Sequence, residues 1–457
     1  MLLAMDFASY FKGKKITVMG LGLLGRGVGD ATFLAECGAD LIVTDLKSAE
    51  QLKDSLAKLE KFSNIKFTLG EHKEADFEGR DMILVSAGVP LDSVYLDKAR
   101  AEGARLVQSA ALFAELSKVP MIGITGTRGK STTTAMIAHI IETVTGETVI
   151  KGGNIRGVSN LQLLKEVGED SLAVFELDSW QLQGFGWAGI SPQIAVFTSF
   201  MDDHLNYYKG DVDAYFADKA NIFVNQEDSD VFITTPTVFE KAKTFADGKH
   251  ISLGQEVVLV DSSVIPEDTH LAMPGEHNRL NAALATATCR ALGLSDEEIF
   301  EALASFAGVE GRLQLLGATA NGARIYNDNN ATTPQATIAG LQALGKSESK
   351  NIILIAGGAD KDIDVAPLAY EINKYCKNVF LIPGSGTDRL LPLLHNGDTS
   401  VSVFAGLAEV VAEAVKVAGA EDIILFSPAF ASFGLFINEY DRNDQFVTLV
   451  KDLEEKI

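Results

Sequence analysis

The sequence predicts an α/β protein of three domains built on parallel sheets. Three observations carry that prediction. Strand-like apolar runs alternate with helical stretches along most of the chain, the pattern of parallel-sheet architecture. The 457 residues amount to three domains at about 150 residues each. Glycine-rich turns stand between a strand-like run and a helical one at "VMGLGLLGRG", Val18–Gly27, and again at "TGTRGKST", Thr125–Thr132.

The first domain is read over residues 1–107. It opens with strand "KITVMG", the first glycine loop, a helix and strand "DLIVTD", and continues through "DMILVSAGVP" and "RLVQSAALF". The second, read over 108–309, begins near "VPMIGITG" and runs to about "SFAGVEGR". The third, 310–457, begins near "LQLLGATANGARIYND". Its strands "NIILIAGG", "NVFLIPG" and "DIILFSPA" each end in small residues, where a ligand crevice of an open α/β sheet would lie.

Composition bounds the partners. At 47% hydrophobic and 22% charged the chain is an ordinary globular protein, but 39 basic against 62 acidic residues leave a net charge of −23. That argues against nucleic acid and anionic membranes, which need clustered Lys and Arg, and leaves small anionic ligands open. Cys37, Cys289 and Cys376 are too few and too scattered for a disulfide framework or a zinc site. The start, "MLLAMDFASYFKGKK", lacks the charge and apolar pattern of a signal peptide, and no apolar run reaches the ~18 residues of a membrane span. A cytoplasmic protein without membrane insertion is expected.

In the first loop Gly20, Gly22 and Gly25 fit G-x-G-x-x-G, and Asp45 ends the following strand. That is the dinucleotide fingerprint with its ribose acid. Physically, a helix N-terminus presents N–H groups to phosphate, so a nucleotide diphosphate is expected there; a tight βα turn with no ligand is the competing reading. In the second loop Gly129-Lys130-Ser131 is the core of a Walker A loop. The strict spacing is broken, with Ile124 where a glycine would stand and glycines at 123 and 126. The mechanics survive. Gly126 and Gly129 let backbone N–H groups face phosphate, Lys130 supplies charge, and Ser131 can hold Mg²⁺.

Downstream residues add a metal and proton-transfer set. Glu176 follows the strand "LAVF", where a P-loop protein places a Mg²⁺ ligand, although an isolated solvated acid would look the same. His204, in "MDDHLNYY", lies just past the strand "IAVFTSF". The segment "DVDAYFADKANIFVN" reads as a helix with Asp211 as N-cap and Val212, Tyr215, Phe216 and Phe223 as its apolar stripe. Lys219 falls in that stripe, where a lysine is costly unless paired or modified. It is either a snorkelling lysine or a neutral amine able to react with CO₂ and give an anionic carbamate suited to Mg²⁺. Asn278 and Asn281 share one face of the helix "GEHNRLNAALATATCRALG" and could read an adenine edge.

With these residues the chain resembles the Mur ligases, the ATP-dependent amide-forming enzymes of peptidoglycan precursor synthesis. "TGTRGKST", "GGNI" (Gly152 to Ile155), "ELDSWQL", "DDHL", "DKANIF", "GEHNRLNA", "EGR" and "YNDNNATTP" follow in family order over essentially the whole chain. The "GLGLLG" loop and the ending "LFSPAFASFGLFINEYDRNDQF" resemble the D-glutamate-adding branch. The resemblance implies a Rossmann-like first domain for a UDP-sugar, a central P-loop ATPase-type domain, and a Rossmann-like last domain serving ATP and the amino acid.

Residue by residue, the resemblance implies ATP contacts from Gly126, Thr127, Arg128, Gly129, Lys130, Ser131, Thr132, Asn278, Asn281, Arg312 and Asp328. Leu23, Leu24, Asp45 and Asn154 would face the UDP-sugar, and Thr332, Lys361 and Ser432 the incoming D-glutamate. Ser131, Glu176, His204 and Lys219 as its carbamate would serve Mg²⁺, with Lys130, His204 and Lys219 catalytic. The substrates would be ATP, UDP-N-acetylmuramoyl-L-alanine and D-glutamate, handled by a monomer.

Four positions depart from the family pattern: Asp178 for a serine, Asn330 for a lysine, Asn443 for a glycine after Arg442, and Glu439 where an aromatic is usual. They bear on the identity of the amino acid. The alternatives are a relative adding another amino acid and a folylpolyglutamate synthetase-like ligase. A nicotinamide dehydrogenase built on Gly20, Gly22 and Gly25 would leave the Lys130 loop unexplained.

Overall fold

The computed structural model of the chain describes residues 7–23, 25–90, 92–204, 206–269, 271–394 and 399–454. It falls into two compact units, Met1–Pro266 with Asn281–Leu303, and Glu267–Leu280 with Ala304–Ile457.

The first unit holds two sheets. In one, β1 (Lys15–Met19), β2 (Asp40–Asp45), β3 (Ile65–Leu69), β4 (Met82–Val85) and β5 (Arg105–Val107) are ordered β3-β2-β1-β4-β5, with every pairing parallel. The order reverses at β1, so the glycine loop that leaves β1 opens into the crevice of a doubly wound sheet. Strands covered on both faces read as continuous apolar runs, and β4 is buried from end to end. β3 escaped the sequence reading because only one of its five residues, Thr68, is buried.

The run "RLVQSAALF" divides into two elements. Arg105–Val107 is the edge strand β5, and Ser109–Ser117 is a helix entered through extended backbone at Gln108. Its alanines favour the helix. That helix buries Ala110, Ala111, Leu112 and Phe113, and Phe113 stacks on Phe175 of the second sheet at 4.8 Å. The two sheets therefore share one continuous apolar core.

The second sheet comprises β6 (Met121–Thr125), β7 (Ile150–Gly153), β8 (Ala173–Glu176), β9 (Ile194–Phe197), β10 (Val231–Thr234) and β11 (Glu256–Leu259). Its order is β11-β10-β9-β6-β8-β7, again all parallel. β6 lies between β8 and β9, which places the carboxyl ends of three strands side by side.

The second unit holds β12 (Gln314–Ala318), β13 (Arg324–Asn327), β14 (Ile352–Gly357), β15 (Cys376–Ile382), β16 (Ser400–Val403) and β17 (Ile423–Phe426). The order is β12-β13-β17-β14-β15-β16, antiparallel only at β12–β13. Leu354 and Ala356 of β14 face one apolar cluster while Ile353 and Ile355 face another, so both sides of the sheet are covered. Among the described residues no helix is long and apolar enough to cross a membrane.

Candidate active site

The second glycine loop joins β6 to the helix Lys130–Thr145. Its two glycines are required by shape. Gly126 has φ +147, and a Cβ there would sit 2.0 Å from Thr198 Oγ1; Gly129 has φ +87, and a Cβ would sit 2.4 Å from Asn281 Oδ1. The residues just past β9 pin the loop. Thr127 N–H donates to the Ser199 carbonyl (2.8 Å), Arg128 N–H to Ser199 Oγ (2.9 Å), and Thr198 Oγ1 to the Arg128 carbonyl (2.5 Å). Two N–H groups of the loop are thus spent on holding its shape. Lys130 curls back, its amine donating to the carbonyls of Gly126 (3.0 Å) and Thr127 (3.3 Å).

β8 runs in register with β6 so that Glu176 pairs with Ile124, and β9 so that Phe197 pairs with Thr125. Glu176, the last residue of β8, is buried and accepts from Asn154 Nδ2 at 3.5 Å. Two residues on, Asp178 caps the helix Ser179–Ala188 in a reciprocal capping box with Gln181. A serine would cap there equally well, which accounts for one departure. Trp180 in that helix packs on the His204 ring at 4.6 Å between centroids.

The helix Val212–Ala220 is capped by Asp211, whose side chain accepts from Ala214 N–H as the sequence implied. It buries Tyr215, Phe216, Lys219 and Ala220. Lys219 is 1% exposed. Its amine donates to the Gly126 carbonyl at 3.0 Å and lies 5.0 Å from the centre of the Tyr215 ring. Burial holds its pKa well below the usual lysine range, and the Lys130 cation pushes the same way; Asp178, Asp203 and Glu176 pull against them. The snorkelling reading fails, because the amine is buried with its stem.

His204 takes the left-handed conformation, φ +54. Burial lowers its pKa; Lys219 and Lys130 also lower it, against Asp203 and Asp178. Asp203 itself lies 3.4 Å from the Arg128 guanidinium. An imidazole and an amine whose charged forms burial disfavours, both at one P-loop, fit proton transfer and carbamate formation. Among the described residues no group of three or more His, Cys, Asp or Glu could hold a metal. A cation here would instead use the Glu176 carboxylate, the Ser131 hydroxyl, a ring nitrogen of His204 and oxygens placed on Lys219.

The helix Glu276–Ala291 carries both predicted asparagines. Asn281 is buried and its Oδ1 lies 3.5 Å from Thr133 Oγ1, beside the loop. Asn278 donates to the Pro274 carbonyl at 2.8 Å.

At the first glycine loop the structure forms a cavity of about 180 Å³, lined by Leu21, Gly22, Leu23, Arg26 and the strand end Val85–Ala87 among others. Leu24 lies outside the described residues. Leu23 is half exposed. Asp45 does end β2, but its carboxylate is taken up by the N–H groups of Leu21 (2.8 Å), Gly22 (3.0 Å) and Lys47 (2.8 Å). It shapes the loop. Asn154, just past β7, accepts from Arg26 Nη1 at 2.6 Å. The sequence reading had not singled out Arg26, Asp203, Ser199 or Trp180 as site residues. Their signal is contact across sequence distance, apart from the acid pair Asp202-Asp203 beside His204.

In the second unit the loops after β13, β14 and β17 meet. Ala429 N–H donates to Ala331 O (2.9 Å), and Ala359 and Ala431 form a bridge. This convergence brings Lys361 Nζ within 3.1 Å of Thr332 Oγ1, with Ser432 one residue beyond the bridge. Asp328 is buried, accepting from Leu313 N–H (3.2 Å) and Ser427 Oγ (2.8 Å), and burial pushes its pKa up to about 7. Arg312 exerts a charge on it.

Three departures from the family pattern surround one turn. Asn330 Nδ2 donates to the Glu310 carbonyl (3.1 Å), Asn443 Nδ2 to Glu310 Oε1 (2.7 Å), and Asn327 Nδ2 to Asn443 Oδ1 (2.9 Å). Glu439 opens the helix Glu439–Glu454 as a first-turn acid, and its carbonyl accepts from Asn329 Nδ2 (2.9 Å). Arg442 is wholly buried. Its guanidinium donates to Asn329 Oδ1 (2.8 Å) and to the carbonyls of Asn329 and Phe430 (3.1 Å each).

Three stretches match family descriptions: residues 14–108 the Mur ligase MurD-like N-terminal domain, 124–289 the Mur ligase middle domain, and 311–430 the Mur ligase glutamate ligase domain. The chain is 37% identical to the UDP-N-acetylmuramoylalanine–D-glutamate ligase of Roseiflexus sp. (strain RS-1), over 96% of this chain and 98% of that one. It is 33% identical to the enzyme of the same name from Borreliella burgdorferi (strain ZS7), over 97% and 98%. Among solved structures, the UDP-N-acetylmuramate–alanine ligase MurC of Thermotoga maritima matches at a TM-score of 0.61 and 20% identity, covering 96% of this chain and 99% of that one. At that identity the likeness concerns the fold.

Proposed function

The chain belongs to the Mur ligase family, and from that premise we propose that it joins D-glutamate to UDP-N-acetylmuramoyl-L-alanine at the expense of ATP, giving ADP and phosphate. The observation that carries this reading is the meeting of the P-loop, Glu176, His204 and buried Lys219 at three adjacent strand ends. Full-length relatives that bear the D-glutamate ligase name support the choice of amino acid.

A carboxylate does not condense with an amine unaided, because oxide is a hopeless leaving group. Phosphorylation removes that obstacle. The carboxylate of the UDP-sugar attacks the γ-phosphorus of ATP and displaces ADP. The amine of D-glutamate then attacks the acyl phosphate, and the tetrahedral intermediate expels phosphate to leave the amide. Lys130 supplies positive charge to the transferring group. The amine must lose a proton to attack, and neutral His204 is suited to receive it. Mg²⁺, held by Ser131, Glu176, His204 and Lys219 as its carbamate, would supply charge compensation to the phosphates. Asn278 and Asn281 serve adenine and ribose, Arg312 and Asp328 reach ATP from the last domain, and Thr332, Lys361 and Ser432 serve the amino acid; Leu23, Leu24 and Asn154 face the UDP-sugar, and Asp45 serves it through the loop it shapes. The enzyme acts as a cytoplasmic monomer; the low cysteine count and the lack of a membrane-length helix among the described residues support that placement.

The test is phosphate release by purified protein against a panel of UDP-sugar precursors and amino acids. Release should require ATP, the L-alanyl precursor and D-glutamate together. Equal release with L-alanine or a folate acceptor would sink the assignment.

A further inference from the structure

Arg26 begins the helix that leaves the first glycine loop. It is the one cation lining that loop's cavity among the described residues; the one acid of the lining, Asp30, accepts from Ser159 Oγ (2.6 Å) and Leu161 N–H (3.2 Å). A diphosphate in this cavity therefore meets a single positive side chain, in a protein of net charge −23.

The same side chain reaches the other site of the unit. Arg26 Nη1 donates to Asn154 Oδ1 at 2.6 Å, and Asn154 Nδ2 faces Glu176 Oε1 at 3.5 Å. Chemistry fixes the polarity of this chain. A guanidinium only donates, so Asn154 must turn its oxygen to Arg26, and its NH₂ then points at the carboxylate. Without Arg26 the amide loses its short anchoring bond, and among the described residues only the 3.5 Å contact with Glu176 fixes its side chain. The guanidinium has five N–H donors, and Asn154 takes one.

We propose that Arg26 binds the diphosphate of the nucleotide-sugar and, through Asn154, holds Glu176 in the orientation the P-loop site needs. Filling the cavity and readying the phosphoryl-transfer site are then coupled through one residue. Arg26 is a binding residue toward the first site and a positioning residue toward the second. The inference rests on the function proposed above.

The test compares unaltered protein, Arg26→Leu and Arg26→Lys by calorimetric titration with UDP alone and by the Mg²⁺ dependence of phosphate release. Arg26→Leu should weaken UDP binding about tenfold or more, the scale of a lost hydrogen bond to a charged group. Its half-saturating Mg²⁺ should rise about tenfold, as when a residue behind a metal ligand is removed. Arg26→Lys should recover most of the UDP affinity as a point charge but not the Mg²⁺ response, because an ammonium lacks the planar fork that spans both partners; it also serves if the leucine variant does not fold. UDP bound equally well by Arg26→Leu, or an unchanged Mg²⁺ response in both variants, would overturn the proposal alone. No binding of UDP by the unaltered protein would overturn the functional reading and this proposal with it.

Discussion

Lys130 and Lys219 donate to the same acceptor, the carbonyl oxygen of Gly126, each at 3.0 Å. Two ammonium groups around one carbonyl oxygen repel, and one of them is buried. The arrangement is comfortable only if Lys219 is neutral, which is the direction in which burial and Lys130 move it.

Replacing Lys219 by Met should therefore leave the fold intact and reduce ligation about 100-fold or more, the loss expected when a metal site is disabled. Added bicarbonate should not rescue it. The native state holds fewer protons at Lys219 than the unfolded chain does, from its lowered pKa up to 10.5. Stability of the parent should rise with pH across that window, and the variant should lose this slope. Full turnover by the variant would refute the carbamate.

Asp178 departs from the family serine yet retains the capping bond. Asp178→Ser should shift stability by less than about 0.5 kcal/mol and keep turnover, whereas Asp178→Ala should cost about 1 kcal/mol. Thermal melting reads both. A strong loss of activity in the serine variant at unchanged stability would instead assign Asp178 a direct part in the reaction.

Arg442 ties Asn329 to the Phe430 carbonyl inside the second unit. Arg442→Met removes the charge but leaves buried acceptors without donors, and should cost about 3 kcal/mol or more. Denaturant unfolding measures it. A variant as stable as the parent would mean that water or a rearranged side chain replaces the guanidinium.

Asp328 has a pKa of about 7 in the folded chain against an ordinary 3.8. The folded state thus holds a proton that the unfolded state releases. Its contribution is fully present below about pH 4 and lost as pH rises through about 7. Asp328→Asn can keep the bond from Leu313 and donate to Ser427, so its stability relative to the parent should increase between those limits. A difference that stays constant over the range would contradict the raised pKa.

Much of this site could be read in the chain because its chemistry is local. Gly129-Lys130-Ser131 is contiguous, and Lys219 stands out in an apolar stripe because helical spacing alone shows where it must point. Thr332, Lys361 and Ser432 carried no such pattern; only family resemblance marked them. Arg26 and Asn154 are 128 positions apart, so nothing local announces their bond. Asp45 shows the converse. Its spacing matched a ribose acid, but three backbone N–H groups claim its oxygens. The edge strand β3 went unseen because it carries too little buried surface to form an apolar run.

Among the described residues β17 is the last strand of the second unit in chain order, yet it lies between β13 and β14 in the middle of its sheet. Until Ile423–Phe426 is synthesised, those two strands have no common neighbour and each presents an open, apolar edge. Asp328 likewise lacks Ser427, its partner 99 positions later. During synthesis, then, the second unit cannot assemble by stages from its amino-terminal side. It must wait, exposed to misassociation, for a four-residue segment made after every other strand of its sheet.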